Sequence, residues 1–107
     1  MHNIQHYLSD DGHDIFADWL AKLADRQARA QVVVRLQRMV AGNFGDCQPV
    51  GGVWELRIDY GPGYRVYYAQ AGKTLVLILL GGDKRTQQAD IETAAAYWAN
   101  WNRRNDR

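Results

Sequence analysis

Hydrophobic and polar side chains alternate over residues 53–59 and again over residues 63–70, with a Gly61-Pro62-Gly63 turn between them. A period of two is typical of a half-buried strand. The apolar positions of these two segments are Trp54, Leu56, Ile58, Tyr64, Val66 and Tyr68. Residues 74–80 are almost continuously apolar, which predicts a strand covered on both faces. The pattern therefore predicts a meander of three antiparallel strands.

The segments on either side of this meander have helical spacing. Asp14 is placed to cap a first helix, a second is predicted from about residue 26 to Gly42, and a third after Thr86. Residues 4–8 are a short candidate strand ahead of them. The apolar stripes of the helices are Phe16, Trp19, Leu20 and Leu23; Ala28, Val32, Leu36, Met39 and Val40; and Ile91, Ala94, Ala95, Trp98 and Trp101.

These elements predict an α+β fold of order β-α-α-β-β-β-α. A chain of 107 residues supports one hydrophobic core, so we expect a single domain over residues 1–107, ending in a frayed polar tail at 102–107. The helices are expected to cover one face of the meander and to leave the other face open. The helical residues expected on the covered face are Trp19, Leu20, Val32, Leu36 and Trp98.

Composition is that of an ordinary globular protein, with 47% hydrophobic and 23% charged residues. No stretch reaches the roughly 18 apolar residues of a membrane span, and the first residues lack the features of a secretory signal. We therefore expect a cytoplasmic location and no membrane contact. The lone Cys47 excludes an intramolecular disulfide, and the histidines at 2, 6 and 13 lack metal-ligand spacing. No metal and no cofactor are expected.

Cations cluster on the face of the meander that we expect to be open. That face presents Arg57, Arg65 and Tyr67, with Lys84 and Arg85 arriving at its edge. If the connection between the strands contains a bulge, Arg57 and Arg65 lie nearly opposite each other. Two adjacent guanidinium groups repel unless an anion lies between them, which suggests a phosphate. Alternatively, either arginine forms a surface ion pair with Glu55 or Asp59.

Four segments, FADWLAKL, GNFGD, WELRIDYGPGYRVYY and LVLILLGGDKRTQ, together resemble the RelE/ParE superfamily of bacterial toxins. The resemblance is closest to the HigB-like addiction-module killer proteins and extends from about residue 4 to residue 98. It implies a RelE-like domain that serves as the toxin of a type II toxin–antitoxin system. The activity it implies is that of an mRNA interferase, a ribosome-dependent endoribonuclease that inhibits translation. The partners would be a cognate antitoxin, the ribosome and mRNA.

The resemblance also implies roles for individual residues. Arg65 matches the arginine that RNA-cleaving members use against the scissile phosphate, and Arg57 and Lys84 match positions of further cations. The residues expected to contact RNA are Arg85, Tyr67 and Gln87, with Tyr67 able to stack on a base. Residues 87–90 lack the tyrosine or histidine that many relatives carry there. The sequence offers four groups for proton transfer: Lys84, Tyr67, Glu55 and Asp83.

The overall charge leaves more than one function open. Thirteen Lys and Arg against twelve Asp and Glu give a formal charge of +1, which argues against a general nucleic-acid binder. A ribosome that itself holds the message is compatible with this charge. One alternative is a ParE-like protein that poisons DNA gyrase by binding alone, which the sparse proton-transfer set favours. A degenerate phage-derived binding module is another.

Overall fold

The computed structural model describes residues 1–106 and contains a five-stranded mixed sheet with three α-helices. In chain order the elements are β1 Asn3–His6, α1 Ile15–Lys22, α2 Arg26–Val40, β2 Cys47–Val50, β3 Val53–Ile58, β4 Tyr64–Ala71, β5 Leu75–Asp83 and α3 Gln87–Asn105. A single 3₁₀ turn, Lys84–Thr86, joins β5 to α3. The α+β class and the order of the predicted elements are confirmed, with one strand added.

The sheet has the order β1-β5-β4-β3-β2. β1 pairs with β5 in parallel, and the other pairs are antiparallel. Arg57 lies directly opposite Arg65. The bulge is elsewhere than expected: Tyr67 pairs with Leu80 and Tyr68 with Ile78, so the extra residue belongs to β5.

The added strand, β2, forms a tight hairpin with β3. Val50 pairs with Val53, so the loop consists of Gly51 and Gly52 alone. Both glycines have positive φ, 52° and 88°, which is the requirement of the type I′ turn preferred in two-residue hairpins. Pro49 is tolerated because β2 is an edge strand. The sequence signal for β2, which the prediction did not use, is the Gly51-Gly52 pair between two valines.

Helices α1 and α2 cover one face of the sheet. Each begins at an aspartate whose side chain accepts backbone N–H groups: Asp14 caps α1, as predicted, and Asp25 caps α2. The buried core on this face consists of Phe16, Val32, Met39, Leu56, Ile58, Val66, Tyr68, Val76 and Ile78. Trp54 is less buried than expected, at 36% exposed; it stacks on Tyr68 and lies on β3, next to the edge strand β2.

The expectation of an open second face is wrong, because α3 packs there. The buried residues on this face are Tyr7, Val53, Tyr67, Ala69, Leu77, Leu79, Leu80 and Ala94, with Trp98 and Trp101 packed against them. Trp98 therefore belongs to this face and not to the one under α1 and α2. β5 is apolar on both sides, so both sides need a helical cover.

Two consecutive glycines in β5 allow the two helical layers to approach the strand. A Cβ at Gly81 would overlap the Trp19 ring of α1, and a Cβ at Gly82 would overlap the Asp90 carboxylate of α3. Successive strand residues point to opposite faces, so each glycine makes room on a different side. These two residues bring α1 and α3 against the same end of the sheet.

Helix α3 continues through Asn105, so residues 102–105 are helical and do not form the expected frayed tail. Arg104 donates a hydrogen bond to the Leu8 carbonyl (2.6 Å) and lies over the Tyr7 ring. The last residue of the predicted tail, 107, lies outside the described residues. Within residues 1–106, no helix combines the length and apolar character needed to cross a membrane.

Candidate active site

Two cross-strand rows place polar side chains on the α3 face of the sheet, near the start of that helix. The first row runs Gln48–Glu55–Tyr67, and the second runs Arg57–Arg65–Gly82. Directly opposed residues of antiparallel strands share a face. The register alone therefore brings a carboxylate, a phenol, an amide and two guanidinium groups together.

Glu55 is fully buried, although the sequence suggested a surface residue. Its carboxylate accepts hydrogen bonds from Gln48 Nε2 (3.1 Å), Tyr67 Oη (3.2 Å) and Gln87 Nε2 (2.8 Å). A buried carboxylate requires such donors to offset its loss of hydration. Burial, and then the charge of Glu55, raise the pKa of Tyr67 above its ordinary value. Tyr67 is therefore a neutral hydrogen-bond donor at neutral pH and is unsuited to act as a base.

Arg65 lies next to this carboxylate, with Nε 3.7 Å from Glu55 Oε2 and a side chain that is 13% exposed. Its Nη1 donates to the Gly63 carbonyl at 3.0 Å. Gly63 has a φ of +83°, and a Cβ there would lie 3.2 Å from Nη1. Gly63 therefore serves both the turn and the packing of the arginine.

Arg57 has a different counterion. Its Nη2 and Nε lie 2.7 and 3.2 Å from Asp46 Oδ1, and both side chains are substantially exposed. The hydrogen bond and charge of Asp46 raise the pKa of Arg57 above its ordinary value. The surface ion-pair interpretation thus holds for Arg57, with Asp46 in place of the expected partners. Each arginine has its own carboxylate, so their repulsion does not require a phosphate.

The three residues predicted as catalytic converge on one open cleft of about 510 Å³. The charged residues that line it are Arg57, Arg65, Lys84, Asp46 and Asp59. Lys84 is exposed, and within residues 1–106 no carboxylate lies within ion-pair distance of it. Three cations against two carboxylates give the lining a formal charge of only +1.

The residues predicted to contact RNA do not line this cleft. Tyr67 is fully buried, so the exposed ring expected to stack on a base is absent. Gln87 donates to Glu55. Arg85 points into solvent, 80% exposed, and pairs with Asp83 at 2.8 Å. A role for Arg85 in binding RNA stays a prediction.

Of the four groups proposed for proton transfer, Lys84 alone lines the cleft. Tyr67 and Glu55 are buried together, and Asp83 caps the 3₁₀ turn through Arg85 N at 2.8 Å. Hydrogen bonding from Arg85 lowers the pKa of Asp83. The cleft also contains Asp46 and Asp59, which the sequence did not indicate as site residues. Pairing of Cys47 with Leu56 places Asp46 beside Arg57, so predicting β2 would have found it.

None of the three histidines lines the cleft. His6 Nδ1 lies 2.8 Å from Asp14 Oδ2 at the start of α1. Across residues 1–106, no group of three His, Cys, Asp or Glu side chains could hold a metal ion.

The mixed sheet, three helices and order of elements are compatible with the RelE-like fold. Residues 18–97 match the family described as phage-derived protein Gp49-like (DUF891). The chain is also 49% identical over 80 residues to an uncharacterized protein of Haemophilus influenzae, covering 74% of this chain and 81% of that protein. The chain therefore belongs to the Gp49-like family, which in general is a family of RelE-like toxins.

Proposed function

We propose that this protein is the toxin of a type II toxin–antitoxin system and, like the HigB-like toxins, a ribosome-dependent mRNA endonuclease. The convergence of Arg57, Arg65 and Lys84 on one cleft, with the two arginines in direct register, carries the proposal. Phosphodiester cleavage builds negative charge on phosphate oxygens, and planar guanidinium groups match those oxygens well.

The cleft supplies a distinct group for each chemical requirement. Arg65, held between Glu55 and Gly63, stabilises the charge on the phosphorane, and Arg57 leaves Asp46 to contact the same phosphate. Lys84 protonates the leaving oxygen, and Asp59, which also lines the cleft, accepts the proton of the attacking 2′-hydroxyl. Positioning of the message then contributes much of the rate enhancement.

The low charge of the cleft supports dependence on the ribosome. Three phosphate contacts to single-stranded RNA give a slope of about −2.1 in log affinity against log salt, from roughly 0.7 per contact. A threefold rise in salt then weakens binding about tenfold. Affinity for free RNA is consequently small at cellular salt, and the ribosome holds the codon against the cations.

Lys84→Ala tests this assignment, with Lys73→Ala as the matched control. Both lysines are exposed, but Lys73 lies in the turn between β4 and β5, outside the lining of the cleft. We expect Lys84→Ala to lower cleavage of a translated message about a hundredfold, while Lys73→Ala stays near wild type. Cleavage is measured with purified protein, with and without ribosomes. Equal cleavage without ribosomes would contradict ribosome dependence.

A gyrase poison is the second candidate, and one observation favours it. Tyr67, Glu55 and Asp83 are all engaged away from the cleft, which leaves few groups for acid–base chemistry. A protein that acts by binding alone needs none. Primer-extension mapping of transcripts after induced expression separates the two: discrete mRNA ends support the endonuclease, whereas intact transcripts with gyrase-linked DNA breaks support the poison.

The cognate antitoxin is proposed to cover the cleft with an acidic segment that folds on binding. Arg57, Arg65 and Lys84 provide the complementary charges, so the association should weaken as salt rises. Hydrogen exchange of the complex should show new protection within residues 53–70, or along α3 at 91–101. Protection confined to α1 and α2 would contradict this arrangement.

A further inference from the structure

A buried carboxylate lies behind the cleft without lining it. Glu55 is fully buried, and its three hydrogen-bond donors come from three different elements. Gln48 belongs to β2, Tyr67 to β4, and Gln87 to the first turn of α3. Because each donor is held by a separate element, the carboxylate has little freedom to turn.

The fourth group that faces Glu55 is the guanidinium of Arg65. Glu55 Oε2 lies 3.7 Å from Arg65 Nε. That Nε is buried and has no hydrogen-bond partner among the described residues, so the nearby charge of Glu55 compensates it. At the other end Nη1 donates to the Gly63 carbonyl, in the lining of the cleft. The guanidinium is thus fixed between a carboxylate behind it and the cleft loop in front.

We propose that Glu55 is a positioning residue that holds Arg65 in the orientation needed to receive a phosphate. Its negative charge permits Arg65 to be nearly buried, and its fixed position limits the rotamers of the arginine. Preorganised charges act on a transition state more strongly than mobile ones. The catalytic consequence rests on the proposed endonuclease function, but the positioning itself does not.

Glu55→Gln is the central variant, because it removes the charge and keeps the size of the side chain. The first readout is the Nε–Hε resonance of Arg65 in NMR spectra of the full chain. We expect Glu55→Gln to shift this resonance and to accelerate its exchange with water about tenfold. An unchanged resonance with unchanged exchange would overturn the proposal, whether or not the protein cleaves RNA.

The second readout is ribosome-dependent cleavage in a double-mutant cycle with Arg65→Ala. Glu55→Gln should lower kcat about tenfold in the wild-type background, with little change in KM. In the Arg65→Ala background the same change should cost less than about twofold, because the residue it positions is gone. An equal loss in both backgrounds would show a role in folding only and would overturn the proposal.

Ile78→Val is the control for stability, since it removes a buried methylene group on the opposite face of the sheet. It should lower the melting temperature without moving the Arg65 resonance or kcat. If the wild-type protein cleaves nothing, the proposed function fails, and the NMR comparison still decides whether Glu55 positions Arg65.

Discussion

The two faces of the sheet are both buried, but they differ in what they bury. The face under α1 and α2 is a continuous apolar core. The face under α3 combines an apolar cluster with a buried carboxylate, Glu55, and its ring of donors. The buried polar groups lie at the end of the sheet nearest the cleft. One face therefore stabilises the fold, whereas the other also supports the candidate site.

The largest loss of stability is expected on the apolar face, from Phe16→Ala. Phe16 is fully buried in the α1–α2 core, and Phe→Ala changes in cores typically cost about 3–5 kcal/mol. Urea denaturation followed by circular dichroism measures the change. A loss below about 1 kcal/mol would mean that this face carries less of the stability than its packing indicates.

On the α3 face, Arg65→Ala should cost about 2 kcal/mol. Breaking a buried pair usually costs about 3–5 kcal/mol, and the value here is lower because Glu55 keeps three donors. Arg57→Ala, which breaks an exposed pair with Asp46, should leave the denaturation midpoint close to wild type. Toxicity should fall in both variants. Equal destabilisation by the two changes would remove the distinction between the buried and exposed pairs.

A pH series with Asp90→Asn tests whether the charged Asp90 carboxylate, partly buried under α3, lowers the stability of the fold. Burial, and secondarily the Asp83 carboxylate, raise the pKa of Asp90, against a hydrogen bond from Thr86 that lowers it. With a folded pKa above the unfolded value of 3.8, Asp90 destabilises the fold increasingly as pH rises through that interval. Asp90→Asn should therefore be more stable than wild type at pH 7, and the difference should vanish near pH 3. A difference independent of pH would contradict this assignment.

The smallest effect is expected from Arg85→Ala. Arg85 is 80% exposed, packs on neither face and pairs with Asp83. The denaturation midpoint should not change, and cleavage should fall less than about threefold if Arg85 contributes one peripheral phosphate contact. A loss as large as that expected for Lys84→Ala would shift the proposed RNA path out of the cleft and toward the 3₁₀ turn.

Local sequence pattern predicted correctly the elements that depend on it alone. Asp14 and the stripe of α2 defined their helices correctly, and alternation around Leu56 and Val66 defined the first face. It failed for the second face because the burial of Glu55 depends on donors from three elements, which no local pattern contains. Apolar character on both sides of β5 did predict two covered faces, and it contradicted the open face expected for Tyr67.

The opposed placement of Arg57 and Arg65 was predicted, but from a bulge in the β3–β4 connection that the structure does not have there. The Asp46 partner of Arg57 was missed because it depends on the β2 hairpin, whereas Glu55 was a predicted alternative for Arg65 but its burial beneath α3 was not predicted. The Gly51-Gly52 turn was visible in the sequence and would have supplied the first pair. The burial of the Arg65–Glu55 pair required the path of α3.

The adjacent glycines of β5 make the two helical layers separately adjustable. A methyl group at Gly81 would press on Trp19 of α1, and one at Gly82 on Asp90 of α3. Gly82→Ala would therefore push on the start of α3 and leave the α1–α2 layer in place. Such a substitution offers a means of attenuating the protein by loosening one layer, a graded adjustment that substitution of a charged cleft residue does not provide.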